Sequence, residues 1–153
     1  MIDYASVYSA LYSRLATHAD GALARALLGS FPSSFPPDPS FAAQKAVFPA
    51  EKLSAFAGSG VTLPWAVWRA LPTAGASGDM RSIGGAWWLY TAPNAGSRPL
   101  HQLAAALETL YGYTSALAIT GGRLGITFVG SIVPDATLGL NALEVRIGYL
   151  QRG

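Results

Sequence analysis

Residues Ile83 to Gly112 carry two periodicities back to back, and they restrict the fold more than any other stretch. From Arg98 onward, Leu100, Leu103, Ala104, Leu107, Leu110 and Tyr111 recur along one stripe of a 3.6-residue repeat, which predicts an amphipathic helix. Ser97 stands where an N-terminal cap belongs, Pro99 suits a first turn that needs no N–H, and Gly112 is placed for a left-handed stop. The run before it, IGGAWWLYT, alternates Ala86, Trp88 and Tyr90 against Trp87, Leu89 and Thr91, which predicts a strand. Aromatic side chains on both of its faces imply that neither face is left wholly to water in the final assembly.

The remaining segments read as packing around that unit. Residues 3–16 predict a helix capped by Asp3, with Tyr4, Val7, Tyr8, Leu11, Tyr12 and Leu15 as its apolar stripe. Asp20 is placed to cap a second, short helix running to Leu28 and stopped by Gly29. Val61–Leu71 predicts a strand whose beginning Pro64 pushes towards an edge, followed by a long hairpin loop from Pro72 to Ser82. Tyr113–Thr120 reads as extended, turning at Gly121-Gly122. Leu124–Val133 and Leu140–Leu150 form an antiparallel pair across PDATLG, with Leu143, Val145, Ile147 and Tyr149 on one face of the last strand and Ala142, Glu144, Arg146 and Gly148 on the other. The sum is one α+β domain over residues 1–153: a mainly antiparallel β-sheet with helices packed on one face.

One stretch resists this scheme. Between Phe31 and Phe56 lie five of the ten prolines and five of the six phenylalanines. Proline density opposes regular structure, yet disordered linkers are poor in aromatics. The expectation is an ordered, irregular arm at 31–60 lying on the domain or on a neighbouring subunit, with Phe35, Phe41 and Phe48 as candidate contacts.

Composition bears on partners. Charged residues are 12% of the 153, about half the usual share for a soluble domain, while hydrophobic residues reach 51%. No window approaches the ~18 uninterrupted apolar residues of a membrane span, and the early acid in MIDYASVYSALYSRL argues against a signal peptide. Such a chain is expected to hide surface against other subunits. Basic residues are scattered singly, which does not indicate a nucleic-acid patch, and the absence of cysteine excludes disulfides and thiolate metal sites.

No catalytic, cofactor or metal constellation emerges. His18 and His101 sit on different helices without a second ligand, the carboxylates are dispersed, and Gly75-Ala76-Ser77-Gly78 has the wrong spacing for a nucleophile elbow. Gly58-Ser59-Gly60 precedes a strand instead of opening a helix, so it is no dinucleotide fingerprint.

The order of elements nevertheless resembles a known family. A helix pair ends in ADGALARALLGS, a proline-bearing loop leads to LPWAV, and a loop-rich hairpin leads to AWWLYTAP; an amphipathic helix ending Leu-Tyr-Gly and the closing strand LEVRIGYLQRG complete the order. Over residues 4–29 and 61–152 this is similar to the tail terminator (tail completion) proteins of long-tailed bacteriophages, while the 31–60 arm is longer than that pattern needs. The resemblance implies a structural virion protein with no enzymatic activity. It implies a homo-oligomeric, hexameric ring that caps the tail tube protein, ends its polymerisation and presents a surface to the head–tail connector protein. DNA would pass only through the lumen, and the protein would assemble in the host cytoplasm and end in the tail or neck of the virion. The rivals are another neck component, such as a head–tail adaptor or tube subunit, and a small ligand-binding domain or enzyme with a tryptophan-lined pocket.

For a ring, Trp88, Tyr90, Glu144 and Arg146, together with Phe35, Phe41 and Phe48, are the candidate subunit contacts. Asp79, Met80 and Arg81 in the Pro72–Ser82 loop are the candidate contacts to the tube.

Overall fold

A computed structural model describes residues 4–29, 47–50, 53, 62–70, 85–112, 117–119 and 122–150. Asp3, Phe35, Phe41 and the loop bearing Asp79, Met80 and Arg81 lie outside the described residues, and of Phe48 the backbone alone is described. Helix α1 spans Tyr4–Thr17, α2 Ala22–Leu27 and α3 Arg98–Tyr111. Strands are β1 Val47–Pro49, β2 Trp65–Ala70, β3 Gly85–Thr91, β4 Leu117–Ile119, β5 Gly122–Val129, β6 Val133–Asp135 and β7 Leu140–Leu150.

The sheet runs β1-β2-β3-β7-β5-β4, with β6 on β7 beside β5. Every pairing is antiparallel except β1 with β2. The fold is α+β, with a mainly antiparallel sheet as the alternations predicted. The parallel β1 corrects two expectations. The 31–60 stretch is not irregular throughout, since Val47–Pro49 joins the domain's own sheet and Val47 is fully buried. Pro64 does not leave β2 at an edge, because β2 is flanked by β1 and β3, and the proline sits before the first paired residue.

The helices cover the sheet face that carries Trp68, Trp87, Leu143, Val145 and Ile147. The predicted stripe of α3 is buried in full, with Ala106 added to it. From α1, Leu11, Tyr12 and Leu15 join the same core, and Tyr8 meets Trp87 with ring centroids 6.3 Å apart. Trp68 and Trp87, cross-strand partners, pack edge to face at 5.2 Å. Gly85 makes room for that pair: a Cβ there would lie 2.1 Å from the Trp68 indole. At about 25 cal/mol per Å² of apolar surface, burial of this layer contributes to the drive to fold, as does burial of Trp65, Val67 and Tyr90 on the opposite face.

Arginine and tyrosine side chains tie the helices to one another at their ends. Arg14 Nε donates to Leu110 O at 3.0 Å, near the end of α3, where carbonyls lack intrahelical partners. Arg25 Nη1 donates to Leu15 O at 2.7 Å and His18 O at 2.9 Å, and the Tyr111 hydroxyl donates to Leu11 O. Burial pushes the Tyr12 and Tyr111 phenols well above the ordinary tyrosine pKa.

The helix boundaries depart from the sequence reading in their chemistry. Asp20 does not cap α2; it lies in a 3-10 turn, Ala19–Gly21, whose cap is His18 Nδ1 accepting from the Asp20 N–H at 3.1 Å. Ser97 holds the N-cap position of α3 without a side-chain hydrogen bond, its backbone being already helical. Gly112 is extended, not left-handed, and is needed because a Cβ would lie 2.3 Å from Glu108 O. Gly29 likewise serves close approach. Its N–H donates to Pro64 O at 3.0 Å, and a Cβ would lie 1.9 Å from Thr62 O.

Candidate subunit interface

The sheet face turned away from the helices carries four of the residues picked out by sequence. Cross-strand register places Trp88 beside Glu144, Ala86 beside Arg146 and Tyr90 beside Ala142, so all project to one side. Trp88, Tyr90, Glu144 and Arg146 therefore share one face of the sheet, which follows from the β3–β7 pairing that the sequence reading did not include. Their exposure differs. Tyr90 is buried, set edge-on to its partner Trp65 with centroids 6.5 Å apart, whereas Trp88 is half-buried.

Two arginines give this face its electrostatic character. Arg69, on β2 opposite Ala86, places its guanidinium 6.0 Å from the Trp88 ring centre and donates from Nη2 to the Tyr90 hydroxyl at 3.4 Å. Its Nε is buried with no hydrogen-bond partner among the described residues. Arg146 pairs through Nε with Glu144, two residues back on the same face of β7. The Arg146 side chain is 50% exposed and that of Glu144 only 14%, so the cation is the charge offered to a partner. Arg146 also lies 5.0 Å from the centre of the Phe128 ring, a cation–π contact.

Phe128 and Arg69 are interface candidates that sequence reasoning passed over. Phe128 is out of place by alternation. Leu124 is buried and Ile126 pairs with Ile147 on the helix-covered face, and a regular strand would send Phe128 there too. A β-bulge between Ile126 and Phe128 shifts the register, pairs Phe128 with Arg146 and turns it to the open face. The signal that could have found it is Gly130, two residues on, whose N–H donates to Glu144 O at 2.8 Å where the strand ends. Val133 on β6, opposite Ala142, extends the apolar line, and Phe128 and Val133 are 48% and 46% exposed.

Among the described residues no group of three metal-ligating side chains converges, and no helix is long and apolar enough to cross a membrane. What the surface can do is bind. It offers aromatic area, one half-exposed, ion-paired guanidinium and the exposed Phe128 and Val133, features common at protein–protein contacts.

No protein-family model matches the chain, and no curated protein is significantly similar to it. One solved structure, whose name is a sequence identifier with no functional term, aligns over 100% of this chain and 99% of its own at 18% identity, with a TM-score of 0.49. So distant a likeness leaves function to be argued from this chain's own residues.

Proposed function

We propose that this protein is a structural component of a phage tail that assembles as a ring, hexameric by the family resemblance, on the end of the tail tube. There it stops tube growth and offers a surface to the head–tail connector, with DNA passing only through the lumen. The observation that carries the reading is the asymmetry of the sheet. One face is sealed by helices; on the other, Trp65, Val67, Ala86, Tyr90 and Ala142 are buried as well, and the half-buried Trp88 leads to an exposed strip of Arg146, Phe128 and Val133 that a lone domain has no use for. The order of elements, a helix pair and then a sheet split by one amphipathic helix, supports it further. The protein would work in the host cytoplasm during assembly and in the tail or neck of the finished virion. It acts through contacts, without a cofactor and without catalysis.

The test is tube length. Purified protein added to elongating tail tubes should shorten them in proportion to its concentration and appear as extra density at one end in electron micrographs. Unchanged tube length would overturn the proposal. Incorporation along the tube wall would show a tube subunit instead.

A further inference from the structure

We propose that the turn joining α1 to α2 is a proton-sensitive clasp: its cap forms only while the His18 imidazole is neutral, and protonation hands the imidazole from the Asp20 N–H to the Asp20 carboxylate. The clasp belongs to the helical layer and requires neither self-assembly nor a tail tube.

The backbone of the turn is held from several sides. The His18 N–H closes the end of α1 by donating to Arg14 O at 3.0 Å. His18 O accepts from the Gly21 N–H at 3.0 Å and from Arg25 Nη1 at 2.9 Å. Arg25, on α2, also donates to Leu15 O at 2.7 Å, so one guanidinium ties α2 to the last turn of α1. Gly21 is buried, and a Cβ there would lie 2.7 Å from Leu15 O. The same turn packs against α3.

These contacts leave out the Asp20 N–H, one of the first amides of a helical segment, which has no acceptor within its own turn. His18 Nδ1 supplies that acceptor at 3.1 Å. A ring nitrogen accepts only when it bears no hydrogen, so the bond requires the neutral imidazole with its hydrogen on Nε2. Oδ2 of Asp20 lies 3.8 Å from the same Nδ1, beyond hydrogen-bond reach. One nitrogen thus stands between a donor and an acceptor of a single residue, and its protonation state decides which of them it can bond. An imidazolium carries hydrogen on both nitrogens, so it loses the amide and gains the carboxylate.

The other charges about the turn sit on the three helices. Arg14 on α1 and Arg25 on α2 are engaged with backbone carbonyls, and α3 brings Glu108 in its last turn. The side chains of His18 and Asp20 are 42% and 47% exposed, so protons reach the ring without unfolding. The consequence lies at the surface. With His18 neutral, the helical layer shows the Asp20 carboxylate as an uncompensated charge. With His18 protonated, the acid is masked in an ion pair while Arg25 keeps the backbone of the turn in place.

Nuclear magnetic resonance of the isotope-labelled, full-length chain tests this, with His101→Gln in the background so that His18 is the one imidazole. At about pH 8 the His18 ring nitrogens should report the Nε2–H tautomer, and the Asp20 amide proton should sit downfield as a hydrogen-bonded donor. Lowering the pH to about 5.5 covers the span in which an imidazole gains its charge. The Asp20 amide should then lose its downfield shift with the same midpoint as the ring, while the Gly21 amide, bonded to His18 O, stays where it was. His18→Asn supplies a cap oxygen that does not titrate, so its Asp20 amide should hold position throughout. An Nδ1–H tautomer at about pH 8 would overturn the proposal, as would an Asp20 amide that stays fixed while His18 titrates. Equal movement of that amide in His18→Asn would mean that the Asp20 carboxylate is the titrating group and no clasp exists. Loss of the Gly21 bond together with that of Asp20 would show the whole turn melting, which rules out the handover.

Discussion

Trp87 and Trp88 are neighbours in sequence and live in different solvents. Trp87 faces the helices, fully buried between Tyr8 and Trp68. Trp88 faces the open side, half-buried, with Arg69 over its ring and Glu144 at its flank. One residue of register separates a side chain that holds the fold together from one available to a partner. The helical face is dry, aromatic and aliphatic, with its polar groups spent on helix ends. The open face also buries Trp65, Val67 and Tyr90, but it sets guanidinium groups beside its rings and leaves Trp88 half-buried and Arg146 half-exposed.

The sharpest way to break this contrast is to truncate each tryptophan in turn. Trp87→Ala should cost about 3–5 kcal/mol, the range for a large aromatic removed from a core. At 2–4 °C per kcal/mol for a domain of this size, the melting temperature should fall by more than about 6 °C. Trp88→Ala should cost the isolated chain about 1 kcal/mol, with its main effect on assembly. Equal losses from the two would erase the distinction between the faces.

Alkaline titration sharpens the contrast from the helical side alone. Tyr12 and Tyr111 are fully buried, and their folded pKa values are raised by burial. Below about pH 10 both folded and unfolded chains keep these protons, so the phenols add no pH dependence. Above it the unfolded chain releases them first. Stability should then fall as pH rises, by about 1.4 kcal/mol per unit for each phenol. Urea unfolding from pH 8 to 11 measures the slope, and Tyr111→Phe should reduce it. An unchanged slope would mean the ring is not the buried acid described.

The smallest effect is expected on the open face. Arg146→Ala removes a half-exposed ion pair and a cation–π contact, so monomer stability should change by no more than about 1 kcal/mol. Thermal denaturation of dilute protein would detect a larger role.

What the sequence made legible follows from where its periodicity is strong. The stripe of α3 and the alternations of β3 and β7 are long enough to state both element and facing within each, but that Trp88 and Tyr90 share a face with Glu144 and Arg146 depends on the β3–β7 pairing, which alternation does not give. β1 is three residues in a proline-rich stretch, too short for any period, and its partner β2 follows it by more than a dozen residues. Phe128 was hidden for a related reason: a bulge changes facing without changing composition, so alternation misassigns every residue beyond it. Arg69 owes its place to a neighbour on another strand, and the His18 cap imitates a role that Asp20 fills equally well on paper.

The position of β7 has a consequence for how the chain is made. It follows the other six strands in synthesis, yet it lies between β3 and β5 and also pairs β6. Until it emerges, β1-β2-β3, β4-β5 and β6 have no strand in common, and the edges of β3 and β5 that pair with β7 are left unpaired. A nascent chain stalled before Leu140 would therefore be prone to aggregate, and the last strand to emerge would act as the bolt that joins the two halves.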